Sequence, residues 1–124
     1  MVRLGEWTKQ EMSYFSERVY YWQEKFGLLD WQVETRYTYD DKDDWGAKCS
    51  RDPENRCAVI TFNSSCAKHS KTIGKKYLNT CALHEVLHLL LADLAHLSPA
   101  TSSNDKYEHQ IVRRLEAYIL GLVR

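Results

Sequence analysis

The chain has 124 residues, 17 Lys+Arg against 17 Asp+Glu, and 44% hydrophobic residues. That length suits one domain over 1–124, because a second independent core would have too little chain left to bury. The even charge argues against a wholesale basic nucleic-acid binder and against an acidic disordered tail. No apolar run reaches the ~18 residues of a membrane span, and 1–10 lacks the apolar segment of a secretory leader. The expectation is therefore a cytoplasmic protein with no membrane partner.

Thr8-Lys9-Gln10-Glu11 has the form of a capping box, with Trp7 and Met12 at the positions of a hydrophobic staple. Phe15, Val19, Trp22 and Phe26 then recur at i, i+4, i+7 and i+11, the stripe of a core-facing helix, and Gly27 follows as a stop. At 31–39 the period changes to two. Trp31, Val33, Tyr37 and Tyr39 alternate with Gln32, Glu34, Arg36 and Thr38, which predicts a strand with one wet face. The acidic run 40–44 lacks the spacing of a calcium loop and reads as solvated loop. Strands are predicted at 45–50 and 56–63, on either side of the turn sequence Asp52-Pro53-Glu54-Asn55.

Residues 66–76, with Lys68, His69, Lys71, Lys75 and Lys76, read as an exposed loop. A helix is predicted from Asn79 or Thr80 to His96, stopped by Ser98-Pro99. After a polar loop at 98–104, a last helix is predicted from about Asp105, with Ile111, Leu115, Tyr118 and Leu122 as its inward stripe. The whole is an α+β domain: an N-terminal helix, a small, mainly antiparallel three-stranded sheet and two closing helices. Cys49, Cys57, Cys66 and Cys81 contain no C-x-x-C pair. They read as reduced, mostly buried thiols, with a Cys49–Cys57 bridge across the hairpin as the alternative.

The first of the closing helices carries His84-Glu85-Val86-Leu87-His88. At 100° per residue the two histidines stand only about 40° apart and one turn along the axis, so both can offer a nitrogen to one metal. Glu85 lies about 100° from His84 and 60° from His88, beside the metal but not aimed to ligate it, which suits a general base. A chance H-E-x-x-H match is expected in about one such chain in a hundred. Val86, Leu87, Leu90, Leu94 and Leu97 form the apolar arc of this helix, and on the histidine side, beside Leu91, the small Ala92 and Ala95 leave room for a neighbour.

A hydrolytic zinc takes three protein ligands and keeps one open position. Glu108, 20 residues after His88, shares a face with Ile111 and Leu115 and is the leading candidate for the third ligand. His109 and Glu116 compete, His109 lying about 100° away from that face. Glu108 also fits a capping box with Asp105 as N-cap. His69 and His96 read as surface residues.

Taken together, the strand Arg56-Cys57-Ala58-Val59-Ile60-Thr61-Phe62-Asn63, the segment from Cys81 to Leu90 around the motif, and Glu108 on a later helix resemble the minimal zincin metallopeptidases. The nearest in style are SprT-like and ImmA/IrrE-type domains and small metallopeptidases predicted in bacteriophage genomes, which would place the protein in the host cytoplasm. There is no metzincin extension, since Leu91 and Leu94 stand where that pattern has Gly and a third His. The resemblance implies that His84, His88 and a downstream Glu or His bind Zn2+, that Glu85 is the general base, and that a protein or peptide substrate lies extended along a sheet edge. Tyr107 and His109 are candidate donors to the oxyanion. The rival expectation is a non-catalytic zinc-containing module that binds protein or nucleic acid. In its favour, residues 63–124 carry 8 basic against 5 acidic side chains, whereas 1–62 carry 9 against 12. Neither the substrate nor the oligomeric state is written in the chain.

Overall fold

In the computed structural model, the described residues are 9–40, 42, 46–63, 65, 74–92 and 102–122. In chain order they form helix α1 (Lys9–Lys25), strands β1 (Gln32–Thr38), β2 (Ala47–Asp52) and β3 (Cys57–Asn63), and helices α2 (Lys75–Leu90) and α3 (Ser102–Leu122). This is the α+β arrangement expected. Thr8 and Trp7 of the capping box and staple, the lysines at 68 and 71, Cys66, His69, Leu94, Leu97, His96 and Ser98-Pro99 lie outside the described residues.

The local patterns of the first half translate directly. Phe15, Val19 and Trp22 of α1 are buried. Gly27 takes the positive φ of 70° that ends the helix in a left-handed turn, a conformation with no steric penalty for glycine. Along β1 the alternation holds, with Val33, Thr35 and Tyr37 turned inward and Gln32, Glu34 and Arg36 outward. The inward threonine is satisfied by Ser16 Oγ of α1 at 2.8 Å, and Tyr37 Oη donates to the Met12 carbonyl at 2.8 Å. Tyr39, expected inward, is exposed beyond the strand end.

The sheet differs from the expectation of a mainly antiparallel one: it is mixed, in the order β1-β3-β2. β2 and β3 form the antiparallel hairpin, with Ala47 opposite Phe62 and Asp52 opposite Cys57, while β1 pairs β3 in parallel, from Gln32 beside Cys57 to Thr38 beside Asn63. Two reversals of direction bring β3 back parallel to β1. β3 takes the centre because it is the most apolar strand, whereas the charges of Glu34, Arg36, Lys48, Arg51 and Asp52 sit on the two strands that flank it. The register also corrects the proposed bridge. Cys57 faces Asp52 and Cys49 faces Ile60, and Cys49, Cys57 and Cys81 are half-buried free thiols.

Both α1 and α2 cover one face of this sheet. Phe62 of β3 meets Phe15 of α1 at 5.2 Å and Tyr77 of α2 at 6.2 Å between ring centroids. One core cluster joins Phe15, Val19 and Trp22 to Ala58, Ile60 and Phe62, to Leu78, Leu83 and Val86 of α2, and to Val112 of α3. Helix α2 begins four residues ahead of the predicted start at Asn79. Asn79 is not a cap: its Oδ1 accepts from Arg18 Nε at 2.7 Å and Trp22 Nε1 at 2.9 Å, tying α2 to α1. Thr80 Oγ1 donates back to the Lys76 carbonyl within the helix, and Leu78 anchors the added turn in the core. The helix ends at Leu90, short of the predicted His96, and Leu90 itself is exposed, not part of the apolar arc. No helix of the described residues is long and apolar enough to cross a membrane.

The exit of β1 is clamped by Asn63, which is fully buried. Its amide accepts from the backbone N–H groups of Asp40 at 2.9 Å and Ser65 at 3.1 Å and donates to the Asp40 carbonyl at 2.8 Å. Asn63→Ala leaves these backbone groups without their partner in a dry setting. We expect a loss of about 2–3 kcal/mol in urea unfolding; a change within about 0.5 kcal/mol would show that the clamp is dispensable.

Candidate metal centre

Three elements meet along the β2 edge of the sheet to build the site. α2 supplies His84, Glu85 and His88; β2 supplies Cys49 and Arg51; and α3 supplies Glu108, His109 and Glu116. Helical spacing puts His84 and His88 on one side of α2, with ring centroids 5.2 Å apart. The side opposite packs into the core through Leu83, Val86 and Leu87, which fixes the rotation of the helix. His109 approaches from α3, its ring 4.7 Å from His84 and 5.6 Å from His88 between centroids. Nitrogens of the three imidazoles all lie within 4.8 Å of one another, close enough to share one metal ion.

Glu108, the leading sequence candidate for the third ligand, stands elsewhere. Its carboxylate takes both arms of Arg51, Nη2 to Oε1 at 2.7 Å and Nη1 to Oε2 at 2.9 Å, and lies 2.5 Å from Nδ1 of His88. It therefore stands behind His88 and outside the group of three imidazoles. Glu116 does the same for the other motif histidine, with Oε2 2.6 Å from His84 Nδ1. A carboxylate only accepts, so each Nδ1 carries the hydrogen and each Nε2 keeps its lone pair for a metal.

This outcome follows from how α3 is turned. Val112 is fully buried and Leu115 and Ile119 pack on the core, whereas Ile111 and Tyr118 of the expected stripe are 41% and 67% exposed. The face containing Val112 carries Glu108, His109 and Glu116 inward together. The helix starts at Ser102, so Asp105 sits within it and is not its N-cap. Tyr107 is 62% exposed and does not line the cleft, so the tyrosine expected near an oxyanion is not brought to the site.

Arg51 is the residue that sequence analysis missed. Besides gripping Glu108, its Nη1 donates to the His88 carbonyl at 2.8 Å, so one guanidinium joins β2, the end of α2 and α3. The signal lay in the alternation of the strand, because Ala47, Cys49 and Arg51 share its inward face. A charged residue there demands a buried partner.

Burial governs the protonation of the site. It pushes the Glu85 carboxyl up to about 7, with nearby His84 opposing and Glu116 adding to the rise. It also pushes the Cys49 thiol up to about 12, helped by the charge of Glu85. Desolvation lowers His88 and His109 below the ordinary imidazole range, Glu108 opposing the fall at His88 and the charges of His84 and Arg113 deepening it at His109. At His84 burial pulls down as well, but the hydrogen bond and charge of Glu116, with the charge of Glu85, outweigh it and raise the group. For Glu108 burial is outweighed by the hydrogen bonds from Arg51 and His88, which hold it below the usual carboxylate range.

The cleft over these groups measures about 800 Å³ and is lined by Cys49, Arg51, His84, Glu85, His88 and His109 among others. Three imidazoles beside an open cleft could hold a metal ion and leave a coordination position free. Comparison with protein-family models, curated proteins and solved structures found no match.

Two outcomes test this electrostatic frame. Arg51→Met leaves Glu108 in its half-dry position without its cation and should cost about 2–3 kcal/mol in chemical unfolding. The second concerns pH. A carboxyl raised in the folded state from its ordinary 4.5 to about 7 binds more protons folded than unfolded between those values, so its contribution to stability falls as pH rises through that window. In metal-free protein, Glu85→Gln should therefore raise the melting temperature at pH 8 more than at pH 4, as differential scanning calorimetry would read; equal shifts at both would refute the perturbed carboxyl.

Proposed function

We propose that this protein is a zinc-dependent metallopeptidase in which His84, His88 and His109 hold the metal and Glu85 is the general base. The observation that carries the proposal is the meeting of a third imidazole, from a separate helix, with the H-E-x-x-H pair. Each motif histidine has a carboxylate on its Nδ1, the arrangement that orients and strengthens metal-binding imidazoles. When bound, zinc supplies a Lewis acid for the scissile carbonyl and makes water a competent nucleophile near neutral pH.

The remaining steps fall to the chain itself. Glu108 and Glu116 hold the Nδ1 hydrogens of His88 and His84 and keep the rings from turning. Glu85 is 5% exposed and sits beside the histidines without joining their cluster. It takes the proton of the attacking water and passes it to the leaving amine. β2 is an edge strand, so an extended peptide can lie along it beside the motif helix, as the resemblance to minimal zincins implies. A non-catalytic zinc module has no use for a buried carboxylate at Glu85, which favours the enzyme.

Metal analysis of protein purified without added metal is the deciding experiment. We expect stoichiometric zinc in the unmutated protein and its loss in His84→Ala and in His109→Ala. Glu108→Ala should weaken zinc by about 10–100-fold without abolishing it, as removal of a supporting carboxylate does. Glu85→Gln should keep the metal and lose peptide hydrolysis. Absence of zinc from the unmutated protein would sink the metal assignment, zinc kept in His109→Ala but lost in Glu108→Ala would return the third ligand to Glu108, and full hydrolysis by Glu85→Gln would remove the base.

A further inference from the structure

His109 shares its stripe of α3 with two cations. Lys106 lies three residues before it and Arg113 four residues after, spacings that bring side chains to one helix face. Lys106, His109, Gln110 and Arg113 all line the cleft above the motif helix. Lys106 and Arg113 are exposed, and neither forms an ion pair with another described residue. The carboxylates nearby are committed: Glu108 to Arg51 and His88, Glu116 to His84, while Glu85 is buried at the floor. Lys48 also lines the cleft, but strand alternation turns its side chain away, so it has no part here. The outcome is a cleft with a cationic rim in a chain whose formal net charge is +0.

The rise from Lys106 to Arg113 is about 10 Å along the helix, the length of about three residues of extended peptide. His109 stands between them. A ligand that spans this rim is favoured when it carries separate negative charges on both sides of the segment lying over the histidines. We propose that the cleft selects peptides with acidic side chains flanking the bond over the metal centre, with Lys106 and Arg113 as the specificity-determining residues. Cleavage of such a peptide rests on the metallopeptidase reading; its binding does not. A nucleic-acid strand fits less well, because it carries a phosphate at every nucleotide, whereas the rim offers two cations about 10 Å apart.

The test measures binding in protein that cannot hydrolyse. Glu85→Gln protein, with and without added zinc, is titrated by fluorescence anisotropy against two labelled peptides that share a central Ala-Ala and carry Glu or Lys on both sides. The acidic peptide should bind about ten-fold more tightly at low salt, with the gap closing as salt rises. Adding Lys106→Glu and Arg113→Glu should invert the preference, and Lys106→Gln with Arg113→Gln should erase it. Both positions are exposed, and circular dichroism verifies that the variants are folded. Equal affinity for the two peptides, or binding of neither, overturns the proposal. So does an acidic preference that survives the charge reversal, and so does a single-stranded oligonucleotide that displaces the acidic peptide at lower concentration. Protein that binds as expected yet takes up no zinc and cuts nothing would keep this inference and sink the metallopeptidase reading.

Discussion

One guanidinium holds the site together. Arg51 reaches from an edge strand to the carbonyl of His88 and to both oxygens of Glu108. Planar, bidentate pairing of this kind specifies direction as well as distance. It sets the N-terminal half of α3 against the C-terminal half of α2, and with α3 so turned His109 faces the motif histidines. Such a pair adds little net stability, since desolvation offsets much of the attraction. Its larger effect is positional.

The same burial acts on each titratable group in the cleft according to its chemistry. Glu85 and Cys49 are pushed toward their protonated forms, and His88 and His109 toward their deprotonated ones, so each tends toward neutrality in a site short of water. Neutral imidazoles are what a metal ion requires. Glu108 and His84 differ because hydrogen-bond partners, Arg51 and His88 for the one and Glu116 for the other, favour the charged form. Carboxylates of one residue type thus divide into two that hydrogen-bond histidines and one, Glu85, buried beside them.

Errors of sequence reading concentrate where a choice is not local. The pattern predicts a start of α2 at Asn79 or Thr80, yet the Asn79 amide is engaged by Arg18 and Trp22, more than fifty residues away in sequence. β1 and β3 each showed a strand pattern, but no pattern within a strand reveals which neighbour it takes or in which direction. On α3 the apolar residues Ile111, Val112, Leu115, Tyr118 and Ile119 outline two overlapping stripes. Hydrophobicity does not choose between them; polar partners on β2 and α2 do.

The α+β class, the α1 stripe, the alternation of β1, the hairpin turn and the metal-pair geometry of His84 and His88 were determined by the sequence alone. Each depends on neighbours within a few residues, where helical or extended geometry leaves little freedom. The mixed sheet, the rotation of α3, the exchange of Glu108 for His109 in the imidazole cluster and the role of Arg51 were decided by tertiary structure. In each of these, residues far apart in the chain compete for one partner. The winner depends on which charge can be paired and which apolar face buried at the same time.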